Sequence, residues 1–261
     1  MTQKRRTRAD EPFLLVRSLA STFAAGRTIA RHAHDWHQLI YASAGVLTVW
    51  TERGSWVAPP HMAIWVPARV AHSIRFAGDS QLRTLYLRAD RDAGLPEQCT
   101  AIAVSSLLRE LILRTVRAGM LDARDPAEAA IATLIADEFR QSGAPPFELP
   151  QPTSPATRRA AALIAAGAPE AAGMAALARA AGLGIRALER RFLAETGMSP
   201  GRWRRQHLLL GALELLAGDA PIKAVAAAAG YATPSAFTAA FRAAFGITPA
   251  RYFQPREGAQ A

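Results

Sequence analysis

The sequence predicts an α+β chain: a β-barrel in the N-terminal half, a helical connection, and an all-α C-terminal domain with two helix-turn-helix units. Three observations lead there. Between about Leu14 and Arg88, apolar residues come in short or alternating runs broken by turns, the pattern of strands. From residue 100 to 141 the period lengthens to that of helices. Beyond residue 155 one supersecondary pattern occurs twice, offset by 48 to 49 residues. The implied division is a basic tail at 1–12, a barrel domain at 13–99, a helical region at 100–141, a linker at 142–155 and the repeat-bearing domain at 156–255.

At 261 residues the chain suits two domains. No apolar run is long enough to span a bilayer and no signal-peptide core follows the basic start, so we expect a cytoplasmic protein without membrane contact. The single cysteine, Cys99, excludes an intramolecular disulfide and has no neighbouring motif of a catalytic thiol. Net charge is +10 and unevenly placed. Residues 151–261 hold 13 Lys/Arg against 6 Asp/Glu, whereas residues 1–150 hold 18 against 15, with Lys4, Arg5, Arg6 and Arg8 all in the tail. The positive half is the half with the repeat, which suits a polyanionic partner. The tail itself reads as a solvated, disordered segment.

In the first domain, LIYASAGVLTVWTERGSWVA (39–58) reads as two strands joined by a hairpin at Glu52–Gly54, and AIWVP, SIRFAG and LRTLYLR continue the series. Short strands at regular spacing suggest a small barrel or sandwich. Trp36, Trp50, Trp56 and Trp65 fall here, enough aromatic surface to line a cavity for an organic ligand. Gly26, His32, His34, Gln38 and Gly45 are spaced G-x5-H-x-H-x3-Q-x6-G, and VPARVAH adds His72. On an extended strand His32, His34 and Gln38 share parity, so all three can face the interior. Neutral imidazoles suit Zn, Cu, Ni or Fe. Equally, these four side chains can bond one another or line an organic-ligand pocket. His37 has the opposite parity and His61 lies near a turn, so both are expected at the surface.

Val104, Leu107, Leu108, Leu111, Ile112 and Val116 form an apolar stripe ending near Gly119. Asp125-Pro126 opens another helix, with Ala130, Leu134, Ile135 and Phe139 facing inward. These two helices either offer a dimer surface or pack on the barrel. SGAPPFELPQPTSP (142–155), with five prolines and no periodicity, reads as the linker.

The C-terminal domain opens with a helix at RRAAALIAAG. In the repeat, Gly182, Leu188, Phe192, Gly197, Pro200 and Trp203 match Gly230, Phe237, Phe241, Gly246, Pro249 and Tyr252. Further back, Met174, Leu177 and Ala181 match Ile222, Val225 and Ala229. Each copy is a small-residue helix, a glycine turn and a second helix with apolar residues four apart, the pattern whose second helix enters the DNA major groove. Gly201 to Ala217 reads as one connecting helix, about 24 Å at ~1.5 Å per residue. With its flanking turns it can set the two recognition helices ~34 Å apart, one turn of B-DNA.

The paired stretches ALARAAGLGIRALERRFLAETGMSPGRW and IKAVAAAAGYATPSAFTAAFRAAFGITPARY resemble the DNA-binding domain of AraC/XylS-type transcriptional regulators, over roughly residues 155–253. That resemblance implies two recognition helices in the major groove, an N-terminal effector-sensing domain, a homodimer and contact with RNA polymerase. Gly184 departs from it, standing where the family usually has Ser or Thr, and so does Ala239, which matches Arg190 of the first copy. The His32, His34, Gln38 and His72 spacing resembles the cupin metal-binding pattern, which implies a divalent transition metal in a cupin-like barrel. Gln38 departs from the glutamate of that pattern and removes one negative charge.

With Leu188 and Phe192 buried, Arg186, Glu189, Arg190 and Arg191 face outward on the first recognition helix; Pro234, Ser235, Thr238, Ala239 and Arg242 hold the corresponding face of the second. Arginine pairs with guanine bidentately and glutamate accepts from cytosine, so the first unit is expected to carry most base readout. The second is expected to contribute phosphate binding, through Arg242, and shape fit. The sequence thus points to a regulator that binds promoter DNA under control of a small molecule or metal. Two rivals are a metal-dependent cupin oxygenase or isomerase and a ligand-independent DNA-bending protein.

Overall fold

The computed structural model describes residues 13–91, 95–141, 147–168 and 173–252; the basic tail and residues 142–146 of the linker lie outside the described residues. Its N-terminal part is a sandwich of two antiparallel sheets. Strands β1 (Leu14–Phe23), β2 (Thr28–His32), β3 (Trp36–Ala44), β4 (Leu47–Trp50), β5 (Gly54–Ala58), β6 (Met62–Val66), β7 (His72–Phe76), β8 (Ser80–Arg88), β9 (Thr100–Ala103), β10 (Met120–Asp122) and β11 (Glu148–Pro150) build it. The six-stranded sheet runs β10-β1-β8-β3-β6-β9 and the five-stranded sheet β11-β5-β4-β7-β2. Ile40, Ala42, Ile64, Val66 and Leu82 of the first meet Leu47, Val49, Trp56, Ile74 and Phe76 of the second in one apolar layer. Alternation along each strand sends the intervening residues outward.

The stretch expected as two strands is three. Gly45 takes a left-handed φ of 83° and passes the chain from β3 in one sheet to β4 in the other. A Cβ there would lie 2.2 Å from Ser80 Oγ and 2.6 Å from the Asp79 carbonyl oxygen, so only glycine fits. Strands β9, β10 and β11 fall in segments read as helical region and linker. With three or four residues each, they are too short for alternation to register.

Helices α1 (Ser106–Ala118) and α2 (Pro126–Gln141) cover the outer face of the six-stranded sheet. Leu108, Leu111 and Ile112 of α1, with Ile131, Ile135 and Phe139 of α2, pack on Leu39, Tyr41, Trp65, Leu85 and Leu87. The buried phase of α2 is therefore Ile131–Ile135–Phe139. Ala130 and Leu134, expected inward, are exposed, as is Leu107 of α1. The same cover corrects His37. Its parity does turn it away from Gln38, but that outer face is under helices, so His37 is buried against Trp65 and its Nδ1 accepts from the Ala68 N–H at 3.0 Å. His61 is half-buried between Phe147 and Tyr252.

The C-terminal part is helical: α3 (Pro155–Ala165), α4 (Met174–Ala180), α5 (Ile185–Thr196), α6 (Pro200–Ala217), α7 (Ile222–Ala228), α8 (Pro234–Phe245) and α9 (Pro249–Tyr252). The two copies of the repeat superpose in chemistry. Gly182 and Gly230 end α4 and α7, and Gly197 and Gly246 end α5 and α8, all with φ between 69° and 79°. Leu188 and Phe192 are fully buried beneath α5, Phe237 and Phe241 beneath α8, each burial contributing ~2–3 kcal/mol. Glu195 ties α5 to the entry of the domain. Its carboxylate accepts from Thr153 N–H (2.7 Å), Ser154 N–H (3.0 Å) and Thr157 Oγ1 (2.6 Å).

The 18-residue α6 joins both units and lies along the outer face of the five-stranded sheet. Trp203 Nε1 donates to the Pro150 carbonyl at 2.7 Å, and the Glu214 carboxylate accepts from Thr48 Oγ1 and Arg75 Nη2. Phe245 stacks on Phe147 at 5.2 Å, so the second unit also touches the sandwich.

Two consequences are measurable. Gly45→Ala forces both the strained φ and a clash with backbone, and should cost ~1–3 kcal/mol in urea unfolding without changing the sheet content seen by circular dichroism. For Glu195, burial favours the neutral form, but its hydrogen bonds from Thr157, Ser154 and Thr153 outweigh that and hold the carboxyl down at about 2. Since an unfolded glutamate titrates near ~4.3, this stabilisation is complete above that pH and is lost as pH falls towards 2. Glu195→Gln should therefore flatten the fall in unfolding midpoint between pH ~4.5 and pH ~2.

Candidate nucleic-acid interface and metal centre

Helices α5 and α8 are each positioned by an apolar face beneath, and α8 also by a side-chain cap at its start. Thr233 caps α8 with its hydroxyl, which accepts from the Ala236 N–H at 3.2 Å. Gly184 at the same place before α5 makes no side-chain cap bond, in keeping with the departure noted in the sequence. Arg186, Glu189, Arg190 and Arg191 of α5 are all exposed. So are Pro234, Ser235, Ala239 and Arg242 of α8, with Thr238 half-buried. The fold thus gathers these nine side chains on the sides of α5 and α8 left open by the core. The sequence reading passed over Arg202 and Arg205, exposed in the first turns of α6 just after α5, and Arg251, exposed on α9. The repeat itself held the signal, because Arg202 and Arg251 match under the 49-residue offset.

In the sandwich, His32 on β2, His34 in the β2–β3 turn, Gln38 on β3 and His72 on β7 converge. The three imidazoles offer ligand atoms lying within 4.8 Å of one another. Every Nδ1 faces a backbone carbonyl: His32 that of Ala30 at 2.9 Å, His34 that of Trp36 at 2.6 Å, and His72 that of Val70 at 2.9 Å. A carbonyl only accepts, so each Nδ1 carries the proton and each Nε2 keeps its lone pair in the neutral ring.

Gln38 is oriented as firmly. Thr84 Oγ1 donates to the Leu39 carbonyl at 2.9 Å and so accepts from Gln38 Nε2, also at 2.9 Å; the Tyr86 hydroxyl lies 3.2 Å from the same nitrogen. This turns Gln38 Oε1 towards His34 Nε2 and His72 Nε2, 3.0 Å from each. Thr84 and Tyr86 were not singled out in the sequence, although the alternation of LRTLYLR puts them on one face.

The His34 and His72 Nε2 lone pairs therefore face Gln38 Oε1, with a His32 ring nitrogen within 4.8 Å of the other two imidazole ligand atoms. Two acceptors 3.0 Å apart repel unless a cation lies between them. A proton is a poor candidate at His72, which burial pushes down to about 4, with the His32 and His34 charges acting the same way and the Val70 carbonyl opposing. A transition-metal ion suits the set: metal–nitrogen bonds of ~2.0–2.1 Å, borderline ligands, and ring orientation fixed by hydrogen bonds at the far nitrogen. Reaching those bond lengths from separations within 4.8 Å requires the rings to close inward. Cys99 contributes nothing reactive, since burial pushes its thiol up to about 12.

The chain matches the helix-turn-helix domain family over residues 177–255 and the AraC-like ligand binding domain family over residues 19–140. It is 30% identical over 221 residues to the HTH-type transcriptional regulator NimR of Escherichia coli K12, covering 85% of this chain and 81% of NimR. Over 107 residues it is 35% identical to the HTH-type transcriptional regulator RipA of Corynebacterium glutamicum, covering 40% of this chain and 32% of RipA. Among solved structures, it is similar to the DNA-binding domain of AdpA in complex with a target DNA, at 29% identity and a TM-score of 0.35, covering 39% of this chain and 91% of that one.

Proposed function

The chain belongs to the AraC family of transcriptional regulators, and on that premise we propose that it reads promoter DNA through α5 and α8 and answers to a transition-metal ion in its barrel. Its family is one of DNA-binding regulators with an N-terminal ligand-binding domain, not of enzymes. The observation that carries the metal reading is the meeting of the His34 and His72 Nε2 atoms with Gln38 Oε1, each oriented by a second hydrogen bond, with a His32 ring nitrogen within 4.8 Å of the other two imidazole ligand atoms. His32, His34, His72 and Gln38 would hold the ion. It would supply a positive centre whose charge none of these four neutral ligands cancels, leaving room for water or an anionic small molecule beside it.

On the DNA side, Arg186, Glu189 and Arg190 of α5 carry base readout, while Arg191, Arg242 and the small side chains Pro234, Ser235, Thr238 and Ala239 supply phosphate contact and shape fit. The 18 residues of α6 span ~27 Å, which supports a separation near one helical turn of DNA once the flanking turns are added. Exposed Leu107 and Leu134 on α1 and α2 support a homodimer through those helices. Among the described residues no helix is long and apolar enough to cross a membrane. Because the chain is an AraC-family regulator, we place it in the cytoplasm, in contact with RNA polymerase at promoters. We take 13–99 as the sensor's barrel, 100–141 as its dimerising helices, 142–155 as the linker and 156–255 as the reader.

Protein purified without tag or chelator should carry about one equivalent of a transition metal, and His72→Ala should lose it. Gln38→Glu should tighten zinc binding by about tenfold, the order of effect of one group around a metal. A metal-free wild type that also ignores added zinc would contradict the reading. For DNA, sites should first be selected from a random library with the wild type. Arg190→Ala should then relax discrimination at one position by ~1–3 kcal/mol, whereas Arg242→Ala should weaken all sequences alike and lower the salt slope by ~1.

A further inference from the structure

We infer that the docking of α6 on the five-stranded sheet is a latch that reports occupancy of the histidine cluster to the DNA-reading half. This rests on reading that cluster as a metal site and adds the route by which it acts. The latch is built at three points along one helix. Near the start of α6, Trp203 Nε1 donates to the Pro150 carbonyl of β11. Near its end, the Glu214 carboxylate accepts from Thr48 Oγ1 of β4 and from Arg75 Nη2 of β7. Thr48 points out of the sandwich yet is 3% exposed, because the helix covers it. At the last turn, Gly78 after β7 admits the Ala217 carbonyl so closely that a Cβ would lie 2.5 Å from its oxygen. Any larger residue there must displace either the end of the helix or the turn after β7, and so loosen the contact between them.

The same strand serves both ends of the coupling. His72 faces the interior of β7 and pairs with His32 of β2; Arg75, three residues on, faces the helix and sits between Thr28 of β2 and Thr48 of β4. Three residues of strand are ~10 Å. The β2–β7 register is broken between Ile29 and His32, so this pair has slack where the two histidines meet. Drawing His32 and His72 onto one ion takes up that slack and sets β7, and with β7 the position of Arg75. The latch does not work by masking. With it closed, eight of the nine reading residues are exposed and Thr238 is half-buried. It acts by fixing how the pair of recognition helices is carried on the barrel, and so where two copies in a dimer fall along DNA.

Amide hydrogen exchange of the full chain tests this, comparing chelator-stripped protein with protein given one equivalent of zinc chloride. In the wild type, zinc should slow exchange in residues 28–32 and 72–76 and also in residues 205–217. In Glu214→Gln, and independently in Gly78→Val, the strands should stay protected while the zinc effect on 205–217 falls to less than half. Undiminished protection of 205–217 in both variants, or protected strands without protected α6 in the wild type, would overturn the latch. No zinc effect on either segment would overturn the metal reading itself, and with it the input to the latch.

Discussion

Helix α6 has to satisfy two cores at once, and most of the architecture follows from that. On one side Leu209, Leu210, Ala212 and Leu213 close the cores of the two helix-turn-helix units, with Trp203 buried against Phe192. On the other, Trp203 Nε1, Glu214 and the Ala217 carbonyl seat the helix on the outer face of the five-stranded sheet. One apolar cluster consequently runs from the sandwich interior through Phe147 and Leu149 into the DNA-reading domain, apart from the separate layer beneath α1 and α2. A polar residue, Glu214, sits within that interface near the end of α6. A half-buried carboxylate lacking Thr48 and Arg75 would be costly, so the pairing selects one docking position among the many that apolar contact alone would permit.

The histidine cluster is governed by a different constraint: direction of lone pairs. Three backbone carbonyls claim the three Nδ1 protons, and Thr84 with Tyr86 claims the Gln38 amide nitrogen. What remains pointing inward is acceptor only. Glutamine in place of a glutamate lowers the charge of the site but leaves its directionality intact, so the set still favours a cation, held less tightly than by an anionic ligand. Weak, reversible binding suits a sensor better than a permanently loaded centre.

The repeat was legible because its positions are dictated one by one. Gly182, Gly197, Gly230 and Gly246 take left-handed φ values that other residues avoid, and Leu188, Phe192, Phe237 and Phe241 fill equivalent holes. The convergence of His32, His34 and Gln38 was expected from shared parity on one strand, but they do not share one. His32 ends β2 in one sheet, His34 sits in the turn and Gln38 lies on β3 in the other, so it is the crossing between sheets that brings them together. What escaped had long-range causes. His37 is buried because α1 and α2 lie over its face, and Leu134 yields to Ile131 because the sheet beneath chooses the phase of α2. The three-residue strands β10 and β11 exist only through their partners. Thr48 and Glu214 are 166 residues apart, so nothing local in either announces the contact between them. Thr84 and Tyr86 were visible as one face of a strand, but their task of turning Gln38 depends on β3 lying beside β8.

The central claim is that a single chain offers DNA two recognition helices on one rigid connector. Hydroxyl-radical footprinting of the full-length protein on its selected DNA addresses it directly. Each bound chain should protect two patches on the same face of the duplex, about 10 base pairs apart centre to centre. A single patch per chain, with the α8 half leaving the backbone as accessible as in free DNA, would contradict the account.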